Sequence, residues 1–286
     1  SPVLHTAAYR AMGLDDWDYR SIEVGQDDLE PFLDSLDDTW AGLSLTMPLK
    51  RTIQPYGEPS NLWARELGVA NTVVFDGTGH NHALKLFNTD VYGIARAFEE
   101  AENRQTQTGA AAHAHRTAVI LGNGNTATSA LAACAMMGDV ADVVVAARHP
   151  DRNPGLAACG ERHGMSVRLV PLADCIPDLA AADVAVNTIP AHGADVVAQA
   201  LLDAGVDVHG MLLDVVYDPR PTALMRAWRK RGGIAIGGEE MLLYQAVAQV
   251  LLMPGHAQSE DFDHCSTRTQ DRTLETAMRA ALEEAL

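Results

Sequence analysis

The stretch Thr117-Ala118-Val119-Ile120-Leu121-Gly122-Asn123-Gly124-Asn125-Thr126-Ala127 decides the fold. Its first five residues are a short, nearly uninterrupted apolar run, the pattern of a strand buried on both faces of a parallel sheet. Gly122 permits a tight turn, and Gly124 lets backbone amides come close to a ligand. An apolar segment of helical length follows over 128–137 and is stopped by Gly138; residues 140–147 read as a second apolar strand. Strand, glycine turn, helix and strand make a βαβ unit whose helix N-terminus favours an anion such as a pyrophosphate. The third glycine of the full pattern is replaced by Ala127, which still allows close packing of helix on strand. Gly122, Asn123, Gly124, Asn125 and Thr126 are therefore candidate cofactor-binding residues.

Downstream, the second strand ends in Ala147-Arg148-His149-Pro150-Asp151-Arg152. An NAD site places an acid here for the adenosine ribose. Arginines stand here instead, and Arg148 and Arg152 are suited to clamp a 2′-phosphate, which points to NADP; the alternative is two solvated arginines on a loop. Further strands are expected at 167–170, 182–188, 211–216 and 234–236, with a helix over 222–231. The count predicts a doubly wound Rossmann sheet from about residue 117 to 237.

Upstream, an apolar run over 40–45 leads into Thr46-Met47-Pro48-Leu49-Lys50. The proline removes a backbone donor and ends sheet pairing, so the chain turns and Lys50 opens the next segment. A second apolar segment ends in Phe87-Asn88-Thr89-Asp90. A lysine and an aspartate at the ends of neighbouring strands can meet at one sheet edge and pass a proton to and from an oxygen. Taken alone, they fit a surface lysine and a helix-capping aspartate better, and the rest of the chain reverses that preference.

Around these, the chain reads as a helix over 1–14 with Ser1 as its cap, a strand over 17–24, and an acidic helix over 27–36. A helix over 63–67 stops at Gly68, and strands at 70–75 and 84–87 flank a hairpin turn at 76–79. A helix over 90–100 leads to a polar linker over 103–115, in which His113 and His115 are too weak a pair to bind a metal. Gly238-Glu239-Glu240 opens an apolar helix over 241–253 carrying Gln245, whose two-ended amide suits hydroxyl and carbonyl groups. A loop over 258–269 and an amphipathic helix over 271–286 complete the chain. The expectation is an α/β protein of two lobes, an N-terminal α/β lobe and a doubly wound one.

The 286 residues carry 21 Lys plus Arg against 38 Asp plus Glu, a net charge of −17. That balance disfavours nucleic acid and anionic membranes as partners, while leaving room for a small anion held by local cations. Cys134, Cys159, Cys175 and Cys265 form no Cys-x-x-Cys pair and read as thiols of a reducing, cytoplasmic compartment. The histidines show no metal spacing, and the longest apolar run, 241–253, is too short to span a bilayer.

The ordered motifs resemble shikimate dehydrogenase over nearly the whole chain. The family's Ser-Pro-x-x-His start is matched by Ser1-Pro2-Val3-Leu4-His5, and its Gly-x-Asn-Val-Thr-x-Pro-x-Lys by residues 42–50, with Ser44 in place of asparagine. Gly68-Val69-Ala70-Asn71-Thr72 and Asn88-Thr89-Asp90 fall where the family has Gly-Ala-Val-Asn-Thr and Asn-Thr-Asp. Asp214, Tyr217, Pro219 and Thr222 follow its Asp-x-x-Tyr-x-Pro-x-x-Thr, and Gly238, Met241, Leu242 and Gln245 its Gly-x-x-Met-Leu-x-x-Gln.

The resemblance implies a reversible, NADPH-dependent reduction of 3-dehydroshikimate to shikimate in aromatic amino-acid biosynthesis. Lys50 and Asp90 would be catalytic. Ser1, Ser44, Thr46, Asn71, Tyr217 and Gln245 would bind the substrate. Residues 122–126, Arg148, Arg152, Val215 and Gly238 would bind NADP. It implies a discontinuous substrate domain, 1–90 with 239–286, around a cofactor domain, 91–238, in a monomer or homodimer. The family pattern differs in having a strand and a further serine ahead of the serine matched by Ser1. It also has Gly-Ala where Asn125 and Thr126 stand, and asparagine at Ala147. The alternatives are an NAD-preferring quinate/shikimate dehydrogenase, against which the arginines speak, and a non-catalytic shikimate-binding paralogue, against which retention of Lys50 and Asp90 speaks.

Overall fold

A computed structural model describes residues 1–76, 83–106, 115–255, 259–263 and 269–286. In chain order the elements are α1 (Pro2–Ala11), α2 (Leu29–Asp34), β1 (Gly42–Ser44), α3 (Leu49–Thr52), β2 (Glu58–Pro59), α4 (Leu62–Leu67), β3 (Thr72–Asp76), β4 (Ala83–Phe87) and α5 (Asp90–Thr106). Then come β5 (Arg116–Leu121), α6 (Asn125–Met137), β6 (Val140–Ala147), α7 (Gly155–Arg162), β7 (Ser166–Pro171), α8 (Ile176–Ala181), β8 (Val184–Asn187) and α9 (Asp195–Ala204). The last are β9 (Met211–Asp214), α10 (Ala223–Lys230), β10 (Ile234–Gly237), α11 (Gly238–Leu252) and α12 (Thr269–Ala285). The chain divides into two units, Ser1–Gly93 with Leu242–Leu286, and Ile94–Met241, so α5 and α11 each begin in one unit and end in the other.

The first unit is built on a four-stranded sheet ordered β1-β3-β4-β2. β3 pairs antiparallel with both β1 and β4, and β2 adds parallel to β4. Successive strand residues point to opposite faces, so each face gathers its own core. Leu43, Val73 and Leu86 pack with Leu29, Leu49 and Ile53. Phe87 joins Leu4, Tyr9, Tyr92, Leu243, Val247, Leu251 and Met278, drawn from α1, α5, α11 and α12.

The second unit holds six parallel strands ordered β10-β9-β8-β5-β6-β7. The chain runs outward from β5 through β6 to β7, then returns to β8 on the other side, which makes the β5/β8 boundary a topological switch point. Registers of Leu121 with Ala146 and Asn187, of Asn187 with Asp214, and of Asp214 with Gly237 bring the strand ends into one row. Val119, Leu121, Ala185 and Leu212 pack one face against Leu179, Val197, Leu201, Leu224 and Trp228.

Five expectations are corrected. Residues 17–24 alternate but form no strand: Trp17 and Tyr19 face Leu43 of the edge strand β1 across a cavity of about 950 Å³, so the segment has no ladder partner. The linker expected from residue 103 begins later, because α5 continues to Thr106; Arg104 pairs with Glu240, and Glu102 with Arg116, over its last turns. Helix α6 starts at Asn125 rather than 128, and α11 at Gly238 rather than 241. Ser1 occupies the cap position of α1, but its side chain makes no capping bond. The turn residues 77–79, His113, Cys265 and half of the loop over 258–269 lie outside the described residues.

Candidate active site

Sheet register explains why distant residues meet in the first unit. Ser44 pairs with Thr72, and Thr72 with Phe87, so the ends of β1 and β4 and the start of β3 share one edge. The segments leaving that edge carry Lys50, Asn71 and the Asn88-Thr89-Asp90 triplet. The cis Met47–Pro48 bond precedes α3, whose second residue is Lys50. Lys50 Nζ donates to Asp90 Oδ2 at 2.5 Å. The two side chains are 12% and 5% exposed, so little water screens the pair, unlike an ion pair on the surface.

The second oxygen of Asp90 is held as well. Asn71 Nδ2 donates to Asp90 Oδ1 at 2.9 Å, to Thr89 Oγ1 at 2.9 Å and to Gln245 Oε1 at 3.2 Å. Asn71 Oδ1 accepts from the Thr89 backbone N–H at 2.8 Å and from Thr72 Oγ1 at 3.1 Å. The amide orientation follows from the donor-only Thr89 N–H on one side and the carboxylate on the other. Gln245 is oriented in turn, its Nε2 donating to the Leu242 carbonyl at 2.9 Å. Asn61 caps α4 through the Ala64 N–H and also accepts from the Asn88 N–H, tying the loop before α5 to a helix terminus. A buried lysine thus sits in a fixed position beside a carboxylate with no free rotation, a geometry suited to moving one proton at a ligand oxygen.

The other candidates are placed less uniformly. Ser44 donates to Gln249 Oε1 at 2.9 Å. Thr46 is exposed two residues beyond β1, and its carbonyl accepts from Leu49. Ser1 meets His5, whose Nδ1 lies 3.1 Å from the Ser1 carbonyl. His5 is fully buried and stacks on Tyr19 at 4.1 Å; burial pushes its pKa down to about 4, with the neighbouring Gln249 opposing. Tyr217 belongs to the second unit, where it is 47% exposed. Sequence reading passed over Gln249, Thr72 and Asn61. The available signal for Gln249 was a second glutamine four residues after Gln245 in an otherwise apolar helix.

In the second unit, the strand row ends at the glycine loop. Gly122 has φ +104, and a Cβ there would come within 2.4 Å of Thr188 Oγ1, so only glycine fits. Gly124 caps α6 without a side-chain bond, and a Cβ built on it meets nothing within 4 Å, leaving open space at the N-terminus of a 13-residue helix. Gly238 meets the backbone of Asp214 and Val215, where a Cβ would lie 2.4 Å from the Val215 oxygen. The loop is braced from the side: Asn123 Nδ2 donates to the His149 carbonyl at 2.7 Å, and Asn153 Nδ2 to the Asn123 carbonyl at 3.2 Å. Arg148 and Arg152, both exposed, flank that same turn after β6. Backbone donors at a helix start with exposed cations one strand away fit a phosphorylated dinucleotide.

Asp214 closes the row as a buried carboxylate. Thr222 Oγ1 at 2.7 Å, Asn187 Nδ2 at 2.9 Å and the Val216 N–H at 3.1 Å donate to it. Burial raises its pKa, and these donors hold the rise back. Among the described residues no group of histidine, cysteine and acidic side chains could hold a metal, and no helix is long and apolar enough to cross a membrane.

The shikimate dehydrogenase substrate binding domain model matches residues 1–73. A shikimate dehydrogenase (NADP(+)) from Natronomonas pharaonis is 34% identical, covering 90% of this chain and 89% of its own. The crystal structure of a shikimate 5-dehydrogenase from Mycobacterium fortuitum is 35% identical with a TM-score of 0.76, covering 98% of this chain and 92% of that one. Mycobacterium tuberculosis shikimate dehydrogenase is 34% identical with a TM-score of 0.77, over 98% and 93% of the two chains. Identity above 30% along almost the full length of such relatives, on a shared fold, shows that the chain belongs to the shikimate dehydrogenase family.

Proposed function

We propose that Lys50 and Asp90 carry the proton step of an NADP-dependent interconversion of shikimate and 3-dehydroshikimate. The observation behind this reading is the buried 2.5 Å Lys50–Asp90 contact, held by Asn71. NADP, when bound, accepts or supplies the hydride at the ring carbon that bears the reacting oxygen. In the reductive direction the Lys50 ammonium gives its proton to the ketone oxygen; in the oxidative direction the neutral amine takes it back from the hydroxyl. Asp90 orients the amine and accepts from a substrate hydroxyl. Asn71, Gln245, Ser44, Thr46 and Ser1 supply hydroxyl and amide groups for the remaining substrate oxygens, and Tyr217 is a further candidate substrate residue. We assign substrate binding to the first unit and NADP to the second, with residues 122–126 and α6 at the pyrophosphate, Arg148 and Arg152 at the 2′-phosphate, and Val215 and Gly238 as backbone contacts. A cytoplasmic enzyme, active as monomer or homodimer without nucleic-acid partners, fits the net charge of −17 and the buried thiols of Cys134 and Cys175.

The test follows nicotinamide absorbance with shikimate and either NADP or NAD, for the wild type and for Lys50→Ala. The expected result is reduction of NADP in preference to NAD. Lys50→Ala should lower kcat by about 10³-fold with substrate affinity changed only a few-fold. Full turnover by Lys50→Ala would remove the lysine from the mechanism, and a preference for NAD would overturn the role of the arginines.

A further inference from the structure

Gln249 lies one helical turn beyond Gln245 on α11, so the two side chains leave the same face. It is 1% exposed, which makes its hydrogen bonds obligatory. Its Oε1 accepts from Ser44 Oγ at 2.9 Å. Its Nε2 donates to Thr72 Oγ1 at 3.0 Å and to the Asn71 carbonyl at 3.3 Å. The carbonyl can only accept, so the amide nitrogen must face it and the oxygen must face Ser44. One side chain from α11 therefore joins the last residue of β1 to the first of β3 and to Asn71, whose own amide holds Asp90 and Gln245.

We propose that Gln249 is a positioning residue for the substrate: it fixes Ser44 and Asn71 and supplies, from the helix, the reach that a serine at position 44 lacks. The proposal rests on the reading that Ser44 and Asn71 contact the substrate. The single Ser44 proton is committed to Gln249, so Ser44 presents lone pairs to a ligand and selects a hydroxyl donor there rather than a carboxylate. Asn71 is held on its backbone side by Gln249 while its side chain serves the catalytic pair. An asparagine at position 44 would carry an amide of its own toward Thr72, its register partner, so the bond that Gln249 makes there can be supplied from either residue.

Steady-state kinetics with shikimate varied at saturating NADP test this. Gln249→Leu and Ser44→Ala should each raise the shikimate KM about tenfold, with kcat and the NADP KM within about twofold, and the double variant should be no worse than either single. Ser44→Asn combined with Gln249→Ala should return KM to within about threefold of wild type. Gln249→Met provides a second apolar variant should the leucine fail to fold. Full additivity in the double variant, a loss of kcat at unchanged KM, or no rescue by the paired exchange would overturn the proposal. If Ser44→Ala and Asn71→Ala raise KM while Gln249→Leu does not, the positioning role alone falls. If Ser44→Ala and Asn71→Ala both leave KM at the wild-type value, the substrate reading falls and the proposal with it.

Discussion

In the unit Ser1–Gly93 with Leu242–Leu286, buried polar side chains converge: Asn61, Asn71, Thr72, Asn88, Thr89, Asp90, Gln245 and Gln249 are each 7% exposed or less. In the unit Ile94–Met241, the candidate cofactor site is made mostly of backbone, a glycine loop and a helix start, with exposed arginines beside it. The first arrangement fixes directions, because every amide has a donor side and an acceptor side that its neighbours must satisfy. The second fixes shape, because glycines stand at 122 and 238 where any Cβ would collide, with the Thr188 hydroxyl at one and the Val215 backbone at the other. In a network of the first kind, removing one member leaves its partners buried and unpaired. A cradle of the second kind is insensitive to most side-chain changes around it.

The sharpest attempt to break that contrast is Asp90→Asn, which keeps the shape but loses the charge beside Lys50. It should lower kcat about a hundredfold or more with the fold intact, as measured by steady-state rates alongside circular dichroism. A loss confined to KM would mean that Asp90 only binds.

Next in size is His5, a buried neutral ring in the first unit. Its folded pKa of about 4 lies below the unfolded value of 6.5. The unfolded chain therefore takes up a proton first as pH falls, and stability fully present above pH 6.5 is lost between 6.5 and about 4. The loss attributable to this group is about 3 kcal/mol. Urea unfolding of wild type and His5→Phe across that window should show a shallower pH slope in the variant. Equal slopes would assign the acid sensitivity elsewhere.

For the second unit, Arg148→Ala with Arg152→Ala should raise the NADP KM roughly thirtyfold and leave the NAD KM unchanged, a loss of about 2 kcal/mol of charge-assisted contact. An equal rise for both cofactors would point to a disturbed loop rather than a lost phosphate clamp. Smallest is Asn153→Ala, which removes the brace on the Asn123 carbonyl; a rise of about threefold in the NADP KM, with no change for shikimate, is expected. An effect as large as that of Asp90→Asn would show that the second site depends on side chains as strongly as the first.

Much of the second unit could be read from local sequence. A parallel strand covered on both faces is a plain apolar run, and its glycine turn and following helix are contiguous, so residues 117–147 announced the unit directly. What escaped was the extent of α5: Asn103 to Thr106 look like linker by composition, and ion pairs of Glu102 and Arg104 with residues far along the chain accompany the helix there. The first unit was harder to read. Residues 17–24 alternate like a strand, yet a strand exists only through its partner, and a cavity separates this segment from β1. Lys50 and Asp90 could be singled out because each follows an apolar run and a turn, but their pairing could not be derived from either stretch alone.

Periodicity, glycines and prolines were enough to determine the α/β class, the position of the glycine loop and the two strands after which the lysine and the aspartate follow, because these depend on residues adjacent in the chain. Tertiary structure alone decided which way each amide faces, that Gln249 reaches Ser44 from 205 positions away and ties it to Asn71, and that His5 stays neutral at its buried position. Hydrogen-bond direction and desolvation are properties of a side chain's surroundings, and those surroundings are assembled from segments that only the folded sheet brings together.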